Sequence, residues 1–213
     1  MAEDNVYEIA DRRYDSLVRR SCETKLNYIL YQKLILKKDI NKPLKLYAAS
    51  KINEKVIKRY AKDYKEMKKV RERNKKFKTY KESEPDEVYN FFVAYRDYFG
   101  REILDRKRFR EDFYYKDQEK EKRACHYCKI TEKQLELLAN NKLINTKRYY
   151  RRGKTMEVDK IDPNGEYTLE NIVLACYMCN NAKSDEFSEE EFKEIGIVIS
   201  KIWNDRLQQI GLN

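Results

Sequence analysis

Apolar residues recur at helical spacing through the first 122 residues. Leu26, Ile29, Leu30 and Leu34 form one stripe, and Tyr60, Tyr64 and Met67, followed at the same spacing by Arg71, form a second. Val88, Phe91, Phe92, Tyr95 and Phe99 make a third, closed by Gly100 at an expected helix C-terminus. Proline and polar residues break the period at DINKPLK (39–45) and KESEPDE (81–87). Stripes of this kind predict helices packed on one another through their apolar faces.

The pattern changes after residue 122. TEKQ (131–134) and SEEE (188–191) have the form of capping boxes, each opening a short helix. MEVDK (156–160) and NIVLA (171–175) read as short strands, joined by the turn-rich DPNGEY. The expected fold is therefore mainly α with a small α+β element: a helical domain over 1–122 and a second domain over 123–213.

Composition sharpens this reading. Only five glycines and three prolines accompany 18 tyrosines, which favours long helices over a many-stranded sheet. The net charge of +10 points to a polyanionic partner, of which nucleic acid is the usual one. Positive charge is densest in KRYAKDYKEMKKVRERNKKFKTYK (58–81), which includes Lys68, Lys69, Arg71 and Arg73. A second cluster, KRYYRRGK (147–154), contributes Lys147, Arg148, Arg151 and Arg152 from an expected loop. Such clusters neutralise phosphates whatever the base sequence. No apolar run reaches the length of a membrane span and MAEDNVYEIADRR lacks a signal-peptide core, so a cytoplasmic protein is expected.

Four of the five cysteines fall in two C-x-x-C pairs, Cys125/Cys128 and Cys176/Cys179. Two such pairs supply the four soft ligands of a closed tetrahedral Zn²⁺ site, which leaves no position for a reactive water. The long stretch between the pairs implies a folded insert there. A redox role is the weaker reading, because the motif lacks a thioredoxin-like strand context. Cys22 stands alone in a helical stretch and reads as a small buried hydrophobe. His126, the single histidine, reads as a surface residue of the first pair.

The succession C-x-x-C, EVDKIDP, G-x-Y-T-x-x-N-I-V-L-A-C-x-x-C-N-N-A-K-S-D over roughly 123–190 resembles the HNH endonuclease family, whose centre is a ββα-metal finger. The resemblance implies that Asp159, ending the first strand, and Asn180, entering the helix, hold one catalytic divalent cation, Mg²⁺ or Mn²⁺. Both are the oxygen donors a hard cation requires. It further implies that Asn171 braces the loop that carries the catalytic base, with Lys183, Asp162 and Asp185 as accompanying matches. In that family a histidine follows the Asp as general base, and here Lys160 stands in its place.

A lysine at its ordinary pKa near 10.4 is almost wholly protonated at neutral pH, so Lys160 has three readings. It is a base with a lowered pKa, a cation on the transition-state phosphate beside another activator, or the mark of an inactive site. HNH sequences of the form D-[RK]-I-D are similar to this stretch, which favours a natural variant. The resemblance thus implies a metal-dependent DNA endonuclease acting on double-stranded DNA, with room for a homodimer. A compact nuclease with its own DNA-binding arm fits restriction or anti-phage defence, and homing or phage-encoded nicking is equally open. The contrasting class is a non-catalytic zinc module that binds nucleic acid or a partner protein.

Overall fold

The computed structural model describes residues 7–40, 42–52, 71–116 and 122–211, with the backbone alone for 71–74. The described chain is mainly helical with one two-stranded antiparallel sheet. It divides into two compact units: Met1–Phe109 with Asn164–Tyr167, and Arg110–Pro163 with Thr168–Asn213.

The helical unit is built on α1 (Glu8–Leu34), followed by the short α2 (Leu44–Ala48), α3 (Arg71–Ser83) and α4 (Pro85–Tyr98). The first and third stripes become its core, with Leu26, Ile29 and Leu30 of α1 and Phe91, Tyr95 and Phe99 all buried. Cys22 is buried among them, and burial pushes its thiol up to about 12. Tyrosines supply cross-links as well as volume. Tyr95 shares a 2.6 Å hydrogen bond with Ser21, and Tyr14 donates to the Leu104 carbonyl at 2.7 Å. The Tyr14 ring also lies beneath Arg106, 4.5 Å away, which pairs with Asp11 and Asp15.

Two expected boundaries move. Gly100 does not end its helix, because the chain continues through a wider π-type turn, Phe99–Ile103, and becomes extended only at Leu104. The break at 81–87 shrinks to Glu84, since Pro85 takes the first helical position of α4, where its missing N–H costs nothing. Tyr60, Tyr64 and Met67 of the second stripe lie outside the described residues. No helix among the described residues is long and apolar enough to cross a membrane.

The second unit holds α5 (Glu132–Asn140), β1 (Glu157–Lys160), β2 (Ile172–Ala175), α6 (Tyr177–Lys183) and α7 (Glu189–Gln208). Both capping boxes form, at Thr131/Gln134 and Ser188/Glu191. The second opens a helix of 20 residues and not a short one. β1 and β2 pair antiparallel with Glu157 opposite Ala175 and Asp159 opposite Val173. The core gathers Leu135, Leu138, Met156, Tyr177, Phe192 and Trp203 around the four cysteines. Glu132, itself buried, ties the unit together: it pairs with buried Arg123 at 2.8 Å and accepts from the Met156 N–H at 2.7 Å, just before β1. Gly196 lets α7 pass close to the first cysteine pair, since a Cβ there would meet the Tyr127 carbonyl oxygen at 3.0 Å.

Candidate functional site

The two cysteine pairs converge. Cys125, Cys128, Cys176 and Cys179 are all buried and their sulfurs lie within 4.8 Å of one another, with Cys128 and Cys176 3.7 Å apart. Sulfurs at the corners of a tetrahedron with Zn–S bonds of about 2.3 Å sit about 3.8 Å apart, so the cluster fits zinc in size and donor type. The thiols also compete for one charge. Hydrogen bonds from the other three pull Cys125 far below its ordinary value, while donation to that sulfur pushes Cys176 and Cys179 up. A divalent cation is what would let all four ionise together. His126 stays out of the cluster: its ring bonds to Glu189 at 2.7 Å, and its backbone N–H donates to Leu174 of β2 at 2.7 Å.

The second pair leads directly into the acidic face. Cys176 caps α6, accepting from the Cys179 N–H. Asn180 and Lys183, three residues apart, then fall on one side of that short helix. On β1, the strand period of two puts Glu157 and Asp159 on one face. The two faces meet in two rungs. The Asn180 Nδ2 donates to Glu157 Oε2 at 2.5 Å, and the Lys183 ammonium lies 3.5 Å from Asp159 Oδ2.

Asp159 is almost fully buried, and its Oδ2 also accepts a 2.8 Å hydrogen bond from the Tyr127 hydroxyl. Burial pushes its carboxyl above the ordinary range, against the opposing pull of Tyr127 and Lys183. The same pairing drives the Tyr127 hydroxyl strongly upward, since burial and the adjacent carboxylate both disfavour a phenolate. Lys183 is wholly buried and also donates to the Lys160 carbonyl at 2.9 Å, so one ammonium holds both the acidic side chain and the backbone that follows it.

Asn171, the last residue of a 3₁₀ turn before β2, makes three hydrogen bonds to the loop after Lys160. Its backbone oxygen accepts from Ile161 at 3.0 Å, its Oδ1 accepts from the Asp162 N–H at 2.8 Å, and its Nδ2 donates to the Asp162 carbonyl at 3.1 Å. Lys160 is half-buried, and strand alternation sets its side chain on the opposite face of β1 from Asp159. Asp162 is exposed.

The expected basic loop is instead a helical turn, with Tyr149–Gly153 in π-type geometry. Tyr149 is buried in the core, so the cluster sits on a wound turn where a loop was expected. Lys147, Arg148 and Arg151 are exposed. Arg152 turns inward and grips Glu157 with two hydrogen bonds of 2.5 Å each. On α3, Phe77 is buried while Lys75, Lys76 and Lys78 are exposed. Arg71 and Arg73 open that helix, and Lys68 and Lys69 lie outside the described residues.

Sequence reasoning passed over Glu157, Arg152 as its clamp, and Tyr127. Glu157 carried a signal, since it stands two residues before Asp159 in a predicted strand and so shares its face. Tyr127 carried none, because nothing in the spacing of the cysteines says where the residue between them points.

The HNH endonuclease family profile matches residues 154–186, a stretch that holds both strands, α6 and the second cysteine pair. A solved structure of the rare-cutting HNH restriction endonuclease PacI is 34% identical over a region covering 41% of this chain and 58% of its own, with a TM-score of 0.35. Curated proteins give no match.

Proposed function

The chain carries an HNH endonuclease segment at residues 154–186, and on that footing we propose that it is a metal-dependent DNA endonuclease. What supports the reading most is the face shared by β1 and α6, where two oxygen-bearing side chains, Asp159 and Asn180, stand beside a buried ammonium and a braced loop. Asp159 and Asn180 would hold a divalent cation such as Mg²⁺ or Mn²⁺, for which hard oxygen donors are suited. When bound, that ion supplies positive charge to the scissile phosphate and the leaving oxygen. Lys183 and Tyr127 hold the Asp159 carboxylate in place and favour its ionised form against burial, and Asn171 fixes the loop after Lys160. Lys160 serves as a cation toward the phosphate, a reading that rests on its place directly after Asp159 at the end of β1. The four cysteines hold a structural Zn²⁺. Lys147, Arg148, Arg151 and the exposed lysines of α3 contribute salt-sensitive affinity for duplex DNA.

Plasmid incubated with the zinc-loaded protein and Mg²⁺ or Mn²⁺, with and without EDTA, tests the reading. Cleavage is expected, abolished by EDTA and reduced a hundredfold or more, roughly 3 kcal/mol, by D159A or N180A with zinc content intact. K160R is expected to retain part of the rate, because a guanidinium also offers a fixed positive charge. No cleavage under any metal, with DNA still bound, would assign the chain to the non-catalytic binding class. A restriction or defence role is the finer reading. It requires discrete fragments from the plasmid, and a continuous smear of products rejects it.

A further inference from the structure

A carboxamide has two ends of nearly the same shape and opposite chemistry. Its oxygen can ligate a hard cation and its NH₂ cannot. A site that uses Asn180 therefore needs something that decides which end faces inward. We propose that Glu157, clamped by Arg152, is that positioning residue: it captures the Asn180 NH₂ and so presents the Asn180 oxygen to the cation. The inference rests on the reading of Asn180 as a ligand and adds the device that sets its orientation.

The geometry supports each link. The Asn180 Nδ2 lies 2.5 Å from Glu157 Oε2. An ionised carboxylate only accepts hydrogen bonds, so it selects the NH₂ end and repels the oxygen. Glu157 is itself immobile, being buried and held by Arg152 through Nε to Oε1 and Nη2 to Oε2, each at 2.5 Å. The guanidinium thus neutralises the carboxylate and occupies both of its oxygens, which makes Glu157 an unsuitable cation ligand.

Arg152 is placed in turn by Gly153, where a Cβ would meet the Tyr177 ring at 2.7 Å; the turn can lie against the start of α6 only because that side chain is missing. Strand alternation then puts Glu157 beside Asp159, and the Asp159–Lys183 rung fixes the register of α6 against β1.

The test uses full-length, zinc-loaded protein without DNA, titrated with Mn²⁺ and followed by electron paramagnetic resonance and calorimetry. Wild type is expected to bind one Mn²⁺ in a D159A-sensitive manner, and E157A to weaken that binding at least about tenfold, as is usual for a residue that orients a ligand. E157Q, which keeps an acceptor for the amide, is expected to stay within about threefold. The decisive comparison is made in N180D, whose side chain has no wrong end to present, so E157A should cost nothing there. If E157A loses zinc, R152M takes its place in both backgrounds, with a smaller loss expected beside Asn180 and none in N180D. Equal losses in the two backgrounds, or wild-type affinity in E157A, would overturn the inference. Mn²⁺ binding that ignores D159A would remove the metal-site reading, and this inference with it.

Discussion

Among the described residues each unit buries one lysine, and the two are held differently. Lys25 of the helical unit donates to the Ala48 and Ser50 carbonyls at 2.7 and 2.6 Å, with its ammonium over the rings of Tyr95 and Tyr98. Burial pulls it down to about 8, with Glu166 acting weakly the other way. Lys183 of the second unit meets a carboxylate and a carbonyl instead, Asp159 and Lys160. The first lysine pins the end of α2 and could give way to a neutral group. The second belongs to a charge pair, and its removal strands a buried anion. Here the lysine facing neutral oxygens is a structural pin, whereas the one facing Asp159 lies in the proposed metal site.

The sharpest separation between the units comes from the sulfur cluster. C176S is expected to abolish zinc binding and unfold the second unit, because apparent zinc-binding energies of roughly 10–16 kcal/mol exceed what a small core supplies by itself. Trp203 is the one tryptophan and is buried in that unit, so its emission reports on the second unit alone, while far-UV circular dichroism follows the helices. Unshifted Trp203 emission in zinc-free C176S would make the cluster dispensable.

Next come the two lysines themselves. K183M should destabilise the second unit by about 3–5 kcal/mol in denaturant titrations read at Trp203. K25M should cost the helical unit only about 1 kcal/mol, since the lost carbonyl bonds are offset by removal of a desolvated charge. Equal losses would end the contrast drawn between them.

pH offers a third test. The folded-state pKa of Lys25 is lowered to about 8 from an ordinary 10.5, so below pH 8 its protonation opposes folding. That penalty fades as pH rises through the folded value and is gone near the unfolded one. The stability of wild type relative to K25M should therefore rise between about pH 8 and 10.5, by up to about 3 kcal/mol. The buried Cys22 thiol, raised to about 12, works in the opposite sense above pH 9. It does so in both proteins, and the difference retains only the pull that Lys25 itself exerts on that thiol, the smallest of its causes. A flat difference curve would mean that Lys25 is better solvated than its surroundings suggest.

The smallest effect belongs to Tyr127. Y127F removes one hydrogen bond to Asp159, worth about 1 kcal/mol, and lets burial raise that carboxyl further. Mn²⁺ binding should then fall away at a higher pH than in wild type as the solution is acidified. An unchanged acid limb would assign the carboxylate's ionisation to Lys183 alone.

Much of this was legible in the chain because it depends on local periods. Strand alternation, capping boxes and C-x-x-C spacing each act within a few residues, and they placed β1, β2, the starts of α5 and α7 and the four sulfurs. The moved boundaries have local causes too weak to read: Gly100 continues a helix because neighbouring aromatics hold it there, and the 147–154 turn winds up because buried Tyr149 anchors it. Side-chain rungs between distant segments, Tyr127 to Asp159 and Arg152 through Glu157 to Asn180, depend on tertiary docking and leave no periodic trace. Lys183 was matched as part of a motif, but its complete burial could not be read from a motif rich in polar residues.

The Tyr127 rung also has a temporal meaning. As the chain leaves the ribosome, residue 127 emerges first, then 159, then 183. The turn bearing Tyr127 docks through the His126 N–H on Leu174 of β2, which is synthesised later than Asp159. The acidic residue therefore waits, without its hydroxyl or its ammonium, until most of the second unit has been made. Any product that stops short of Lys183 carries the acid without the ammonium that pairs with it. Incomplete copies therefore lack the arrangement on which the proposed chemistry depends.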